Sequence, residues 1–434
     1  MRSSTPAAAL LLSWIGTACA ASQDVRGDAW PQWGGPSRDF SIGSAELADR
    51  WPEDGPPRLW QRPLGDGYAS IVSDGELLFT MYRPRLDDPG DQEEVVIAMQ
   101  ATTGATVWES RYPSAMTRPP HGGVSGPNST PVLVGNRVYA IGTHTVVRCL
   151  DKTTGTLLWS RDLQADFASP PVVANGYSIS PIVYGDTLIV PLGTRPAEGE
   201  VADRSRSVLA LDLGDGHLVW SSDAYVVWHS SPLVIDHGGT DQVVLMMNDG
   251  IAAIDPSSGR ELWRLDFDRS ELKHMTPLWN GVDLLVFAPD GGSRGARAIR
   301  LVLEDGKTVP ELAWINRAMK CPIHIGVHDG DRAYVPGRSG MYGYDLATGE
   351  RLWKQPGIDM ASCILAGDKL LALGVEGELT LATPSREGLA IHAQGQVAER
   401  NAISCPTLVG HTLYVRDEKN IMAFDLGVRD ATSG

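Results

Sequence analysis

The decapeptide Leu211-Asp212-Leu213-Gly214-Asp215-Gly216-His217-Leu218-Val219-Trp220 follows the apolar run Val208-Leu209-Ala210 and reads as strand, tight turn and second strand. The Asp side chain accepts hydrogen bonds from the turn backbone, and Gly takes the positive φ of a tight hairpin. Trp then carries a ring too large for one hairpin to bury. The same Asp-x3-Gly-x3-Trp spacing recurs at Asp151/Gly155/Trp159, Asp255/Gly259/Trp263 and Asp345/Gly349/Trp353, and with Gln leading at Gln100/Gly104/Trp108. Seven of the thirteen tryptophans (60, 108, 159, 220, 263, 314 and 353) follow one another at intervals of 39 to 61 residues. That is a repeat, and a repeat whose unit cannot cover its own aromatic face must stack.

Each period also holds two earlier strand-like runs, such as Pro181-Ile182-Val183-Tyr184 and Thr187-Leu188-Ile189-Val190. Four short strands per period describe a β-propeller blade. Two copies are degenerate, one from Leu303 to Trp314 and one from Ala382 to Ile391, where Ile391 stands for the tryptophan. Phe424-Asp425-Leu426 opens a unit whose tryptophan never arrives, while Arg58-Leu59-Trp60 supplies a tryptophan without its hairpin. Joining them closes the ring and removes exposed sheet edges. The expectation is an all-β, eight-bladed β-propeller of four-stranded antiparallel blades over residues 58–427, its last blade closed by N- and C-terminal strands. An arm (21–57) precedes it and a tail (428–434) follows.

With 42% hydrophobic and 21% charged residues, the 434-residue chain is a globular protein rather than a disordered one. A net charge of −16 sets nucleic acid aside, since binders of a phosphate backbone concentrate Lys and Arg. Residues 1–20 read as a signal peptide: Arg2, an apolar core from Ala7 to Ile15, and the small-x-small site Ala18-Cys19-Ala20. The expectation is a periplasmic or secreted protein without a transmembrane span, with lipid anchoring at Cys19 the lesser alternative. Export permits disulfides, and Cys149, Cys321, Cys363 and Cys405 remain after cleavage. All four sit in or beside strand-like runs, where buried free thiols are expected. Should a bridge form, Cys363 and Cys405 are the pair, because they fall at similar height on adjacent innermost strands.

The motifs Leu211-Asp212-x3-Gly216-x3-Trp220 and Tyr344-Asp345-Leu346-Ala347-Thr348-Gly349-Glu350-Arg351-Leu352-Trp353 resemble the pyrroloquinoline-quinone-type (PQQ-like) propeller repeat, over about residues 58–427. The arm stretch Trp30-Pro31-Gln32-Trp33-Gly34-Gly35-Pro36 is similar to the start of many secreted members. That superfamily holds quinone-dependent alcohol dehydrogenases and cofactor-free assembly scaffolds, so the resemblance implies a fold more than an activity. Many of its quinone enzymes hold the cofactor against an adjacent-Cys disulfide near calcium. Neither that Cys pair nor a matching Asp/Asn/Glu set occurs here, which speaks against the quinone.

In a four-stranded blade the first-to-second and third-to-fourth turns share one face. Here those turns are short, as at Ser73-Asp74-Gly75, Gly185-Asp186 and Gly367-Asp368. The opposite face carries the insertions, from Arg83 to Glu94, Ser114 to Asn128, Asp162 to Ser178, Thr194 to Ser207 and Asp290 to Arg297. Scaffolds present function on variable loops. Alignment on the short turns places Tyr68, Asn128, Ser178, His229 and His274 at the loop-rich channel mouth, with His324 one position along. Lys273, Lys320, Cys321, Arg118 and His121 lie in adjoining loops. His229, His274 and His324 on three consecutive blades are candidate ligands for a transition metal, or an acid–base centre with Lys320. Tyr68, Arg118, His121, Asn128, Ser178 and Lys273 are candidate ligand-binding residues. His217, His237 and His411 fall on the short-turn face and are expected to be solvated.

Two functions follow. The leading one is an exported binding or assembly module that takes a protein or small-molecule ligand at the loop-rich face. The alternative is an enzyme using the histidine cluster, either a quinoprotein-like oxidoreductase or a metal-assisted lyase or hydrolase.

Overall fold

Eight sheets form the molecule, each an antiparallel run of four consecutive strands, except that the last takes its outermost strand from the other end of the chain. The computed structural model describes residues 28–84, 92–115, 126–167, 176–192, 206–223, 225, 227, 229–247, 249–267, 276–287, 295–319, 326–399 and 401–428. Numbered along the chain, the blades begin with the innermost strands Val72–Ser73, Val132–Val134, Ile182–Tyr184, Leu233–His237, Leu278–Trp279, Val327–His328, Ala361–Ala366 and Thr407–Val409. Among the described residues the helix content is one turn, Leu163–Phe167. Blade 8 closes as expected: Arg58–Pro63 pairs antiparallel with Asn420–Asp425, so the two ends of the chain share a sheet.

The repeat motif has a single physical purpose. Each outermost strand carries a β-bulge one residue before its tryptophan, as between Leu157 and Trp159 or between Leu218 and Trp220. The bulge turns the indole onto the next blade. There its N–H donates to the carbonyl of the residue after the motif Asp or Gln: Trp60 to Ala101 (2.9 Å), Trp108 to Lys152 (2.9 Å), Trp159 to Leu213 (3.2 Å), Trp220 to Pro256 (3.2 Å) and Trp314 to Leu346 (2.9 Å). The motif glycine lies under the ring. A Cβ on Gly216 would meet Trp159 at 2.7 Å, and the corresponding distances at Gly104, Gly155, Gly259 and Gly349 run from 2.4 to 2.6 Å. Gly216 also has φ +77°, so one residue answers both demands.

The degenerate copies deviate in instructive ways. Blade 5 replaces the nine-residue turn unit with a long hairpin, Ala296–Glu304 and Lys307–Asn316, turning at Asp305-Gly306. Trp263 therefore has no turn carbonyl to meet and donates to Gln242 Oε1 at 2.6 Å. In blade 7 the bulge falls on His392, between Ile391 and Ala393. The tryptophan position is thus held by Ala393, and Ile391 points outward, 38% exposed. On blade 8 the carbonyl this absent indole would have met, Leu426 O, accepts instead from Ala48 N of the arm at 2.8 Å.

The arm does more than reach blade 8. Trp30 and Ser73 of blade 1 exchange backbone hydrogen bonds of 2.8 and 2.9 Å, and Leu133 of blade 2 donates to Pro31 O at 2.8 Å. Arg38 donates to Pro181 O (2.9 Å) and Ser180 O (3.3 Å) of blade 3. Two residues later Phe40 O accepts from Leu365 N of blade 7, where Ser41–Ile42 adds a fifth strand, parallel to the innermost one. Blades 3 and 7 face each other across an eight-membered ring, so the chain between Arg38 and Phe40 crosses the axis. Positive φ at Gly34, Gly35, Arg38 and Phe40 folds it into a knot. Trp30, Phe40 and Arg38 are 1%, 1% and 5% exposed, so the short-turn end of the channel is filled. Burial pushes the Arg38 guanidinium down to about 9, which leaves it a cation at neutral pH. Trp30 and Trp33 pack within the arm: Trp33 meets Phe40 edge-on at 4.9 Å between centroids.

Two outcomes test this account. Gly216→Ala adds a clash with Trp159 to the backbone strain and should cost about 2–4 kcal/mol. Gly135→Ala, at φ +55° with nothing within 4 Å, carries the strain alone. Thermal unfolding should rank the two in that order, and equal losses would remove the indole as the reason for glycine. Trp30→Ala should free the arm, so that limited proteolysis trims residues before Ser41 while the ring survives. An arm that stays protected would show that this indole does not hold it.

Candidate functional site

A belt of buried hydroxyls links the innermost strands just inside the loop-rich mouth. Ser70 N donates to Thr130 Oγ1, Thr130 N to Ser180 Oγ and Ser180 N to Ser231 Oγ, each at 3.0 Å. Thr276 Oγ1 continues it to Ser231 O at 3.0 Å. One residue nearer the mouth, Ser129 donates to Ile179 O (2.9 Å) and Ser404 to Tyr68 O (3.1 Å). These bonds tie like positions of neighbouring blades together. Two residues above the belt, Tyr68, Asn128, Ser178 and His229 accordingly stand at one level on blades 1 to 4, and each is half-buried where the belt is buried.

One contact at that level carries chemical interest: Ser178 Oγ and His229 Nδ1 lie 2.5 Å apart. Hydroxyl and imidazole together offer a donor and an acceptor to a ligand, and a base beside an alcohol for chemistry. The remaining candidates, Arg118, His121, Lys273, His274, Lys320, Cys321 and His324, lie outside the described residues, as do Cys19 and the signal stretch.

The loop-rich face is anchored from beneath. Glu94 is fully buried and accepts from Arg83 (3.1 Å), Tyr112 (2.8 Å), Thr143 N (3.1 Å) and the Thr143 hydroxyl. Arg83 also donates to Ser114 O at 2.8 Å, so the bases of the first two insertions share one buried ion pair. Burial, with the Glu94 charge behind it, pushes the Tyr112 phenol well up, so it stays a neutral donor. A second buried cation, Arg416, joins blade 8 to blade 1 by donating to Met81 O (2.7 Å), Ala69 O (3.0 Å) and Gly65 O (3.1 Å). Burial lowers it to about 10. Sequence reading missed Arg38 and Arg416, because an arginine beside an apolar run looks like any surface residue.

Other expectations meet mixed outcomes. Among the described residues, three potential metal-ligating groups approach within 4.8 Å of one another at Asp212, Asp215 and His217. That set is on the short-turn face, not the mouth. Its oxygens serve the turn: Asp212 Oδ1 accepts from Gly214 N at 2.6 Å and Asp215 Oδ1 from His217 Nδ1 at 2.7 Å. His217 and His411 are exposed as expected. His237 is only partly exposed, because the long blade 5 hairpin packs against it: its ring nitrogens lie 3.0 Å from Thr308 Oγ1 and 3.1 Å from Leu301 O. Among the described residues Cys149, Cys363 and Cys405 are free thiols, Cys149 and Cys363 buried as expected and Cys405 partly so.

Comparison with known proteins agrees with this architecture. The family model described as outer membrane protein assembly factor BamB matches residues 92–224 and 203–427. No curated protein matches the chain by sequence. Among solved structures, BamB from Moraxella catarrhalis is similar with a TM-score of 0.58 at 14% identity, covering 85% of this chain and 99% of its own. Quinohemoprotein alcohol dehydrogenase from Comamonas testosteroni reaches 0.64 at 12% identity, covering 94% and 82%. The computationally designed protein Ika8 reaches 0.56 at 10%, covering 84% and 98%. An assembly factor, a dehydrogenase and a designed protein share the architecture, so fold alone selects no activity. What the repeat motif, the closed ring and the family match establish together is that the chain belongs to the PQQ-like repeat β-propeller family.

Proposed function

We propose that this chain is an extracytoplasmic binding and assembly module, periplasmic or secreted, which receives a partner protein at the loop-rich mouth of a channel open at one end. The observation that carries the reading is the arm. It fills the short-turn end, so a partner would meet the ring from the other end, where the strands lead into the long insertions of the sequence. The match to a family described as an outer membrane assembly factor supports a protein partner. So does the anchoring of the loop bases on the Arg83–Glu94 pair, which holds a recognition surface in place.

A second reading, an enzyme with His229, His274 and His324 around a ligand or metal, draws support from the Ser178–His229 contact. Here Tyr68, Asn128 and Ser178 would bind the ligand, and Arg118, His121, Lys273 and Lys320 are the further residues that the sequence proposes for it. Imidazoles suit a transition metal of the zinc or copper kind.

Photo-crosslinking separates the readings. A benzoyl-phenylalanine at position 68 should yield, in cell envelopes, an adduct identified by mass spectrometry as an outer-membrane assembly component. The same probe at Thr154, exposed on the short-turn face, should yield none. Adducts from position 154 alone would overturn the proposed face. Elemental analysis and an absorption spectrum of the purified protein form the other arm. A stoichiometric metal lost in His229→Ala, or a quinone band, would establish the enzyme instead.

A further inference from the structure

We propose that Ser178 is a nucleophile and His229 its base, an acyl-transfer pair near the loop-rich end of the channel that takes an uncharged carboxylic ester. Ser178 Oγ of blade 3 lies 2.5 Å from His229 Nδ1 of blade 4. In the neutral imidazole tautomer with its hydrogen on Nε2, Nδ1 is an acceptor and the serine hydroxyl donates to it. An alcohol is a weak nucleophile on its own, and a base in this position is what activates it. The pair needs neither a metal nor a partner protein, so the activity lies beyond both readings above.

The contact differs from the other bonds that join these innermost strands. It links two side chains, whereas the hydroxyl belt and the level next to it link a side chain to a backbone group. Blades 3 and 4 do not depend on it, because Ser180 N and Ser231 Oγ already tie them at 3.0 Å two residues below. Both residues are half-buried, so they keep a surface that the buried belt residues lack. The backbone on either side is held. Tyr177 is buried, its N donates to Thr143 O at 2.9 Å and its hydroxyl to Pro191 O at 2.8 Å. Ile179 O accepts from Ser129 Oγ at 2.9 Å. On blade 4, Val227 is bridged to Met247, and Ser230 and Ser231 are buried. A pair supported in this way keeps its geometry when a substrate arrives.

Tyr68 and Asn128, at the same level on blades 1 and 2, are neutral hydrogen-bonding side chains, which suits an uncharged substrate. A phenol or an amide is also the kind of donor that stabilises an oxyanion. In the first step Ser178 Oγ attacks the ester carbonyl carbon and its proton passes to His229 Nδ1. The bond to the leaving alcohol breaks, and the alcohol takes that proton from His229, which leaves an acyl-serine. In the second step water attacks the acyl carbon and gives a proton to Nδ1. The carbon–Oγ bond breaks, Ser178 recovers the proton and the carboxylic acid departs. One ester and one water become one acid and one alcohol, and both side chains return to their starting state.

The test treats the full chain with a fluorophosphonate probe, maps the product by mass spectrometry and follows hydrolysis of p-nitrophenyl acetate. The expected result is one phosphonylated residue, Ser178, formed as its Oγ displaces fluoride from phosphorus. Ser178→Ala should abolish the label and the hydrolysis, and His229→Ala should slow both by about 100-fold or more. EDTA should leave the hydrolysis unchanged. An unlabelled chain, a label on another residue instead, a label at Ser178 that forms as fast in His229→Ala, or hydrolysis lost with EDTA would overturn the proposal. The map of the unsubstituted chain decides even if a variant does not fold. A partner crosslinked at position 68 bears on none of these results, so failure of the nucleophile and failure of the binding module are told apart.

Discussion

The contact between an indole and the backbone of the next blade's turn is what the ring rests on. A lone four-stranded blade has two apolar faces and nothing to cover them. The tryptophan on its outer strand covers on the order of 200 Å². It also finds a carbonyl for its N–H, so burial leaves no donor stranded. The bulge aims the ring, the glycine admits it, and the turn presents the acceptor. Because most blades supply a ring to one neighbour and receive one from the other, the interaction passes from blade to blade and favours closure of the circle.

Where that link is missing, something else takes its place. Gln242 receives the Trp263 N–H at the irregular blade 5, and the backbone of Ala48 reaches Leu426 O beside blade 7. The second substitution draws the arm into the architecture. Passing beneath the ring, the arm fills the short-turn end of its axis. The belt of hydroxyls ties the innermost strands of neighbouring blades together, and the buried Arg83–Glu94 pair joins the residues that flank the first two insertions.

The ring was legible because its signal is repeated. Five copies of one spacing fix blade count and strand order, and the orphan Trp60 and Phe424-Asp425 predict the shared sheet. The short turns then set a common register, and the hydroxyl belt between Ser70 and Ser231 follows that register blade by blade. Sequence reading fails where one residue departs from the repeat. Ile391 looks like the missing aromatic at the end of the copy that starts at Ala382, but the bulge lies at His392 and gives the slot to Ala393, two residues on. His237 looks solvated because it ends a strand at a short turn, and is covered by a hairpin from another blade. The arm's path was hidden for the same reason: nothing in Arg38 says that blade 3 lies on one side of it and blade 7 on the other.

Closure through Arg58–Pro63 has a consequence for the order in which the protein matures. Its partner strand Asn420–Asp425 is made last, so the outer strand of blade 8 must wait, unpaired, for nearly the whole of synthesis. Bringing such distant segments together costs roughly 5 kcal/mol in loop-closure entropy, returned when the ring completes. A nascent chain of this kind has no finished native state to fall into early, and contacts of such long range make folding slow. Seven blades are built from neighbouring strands, so the seam of blade 8 is the part of the ring whose completion depends on its most distant segments.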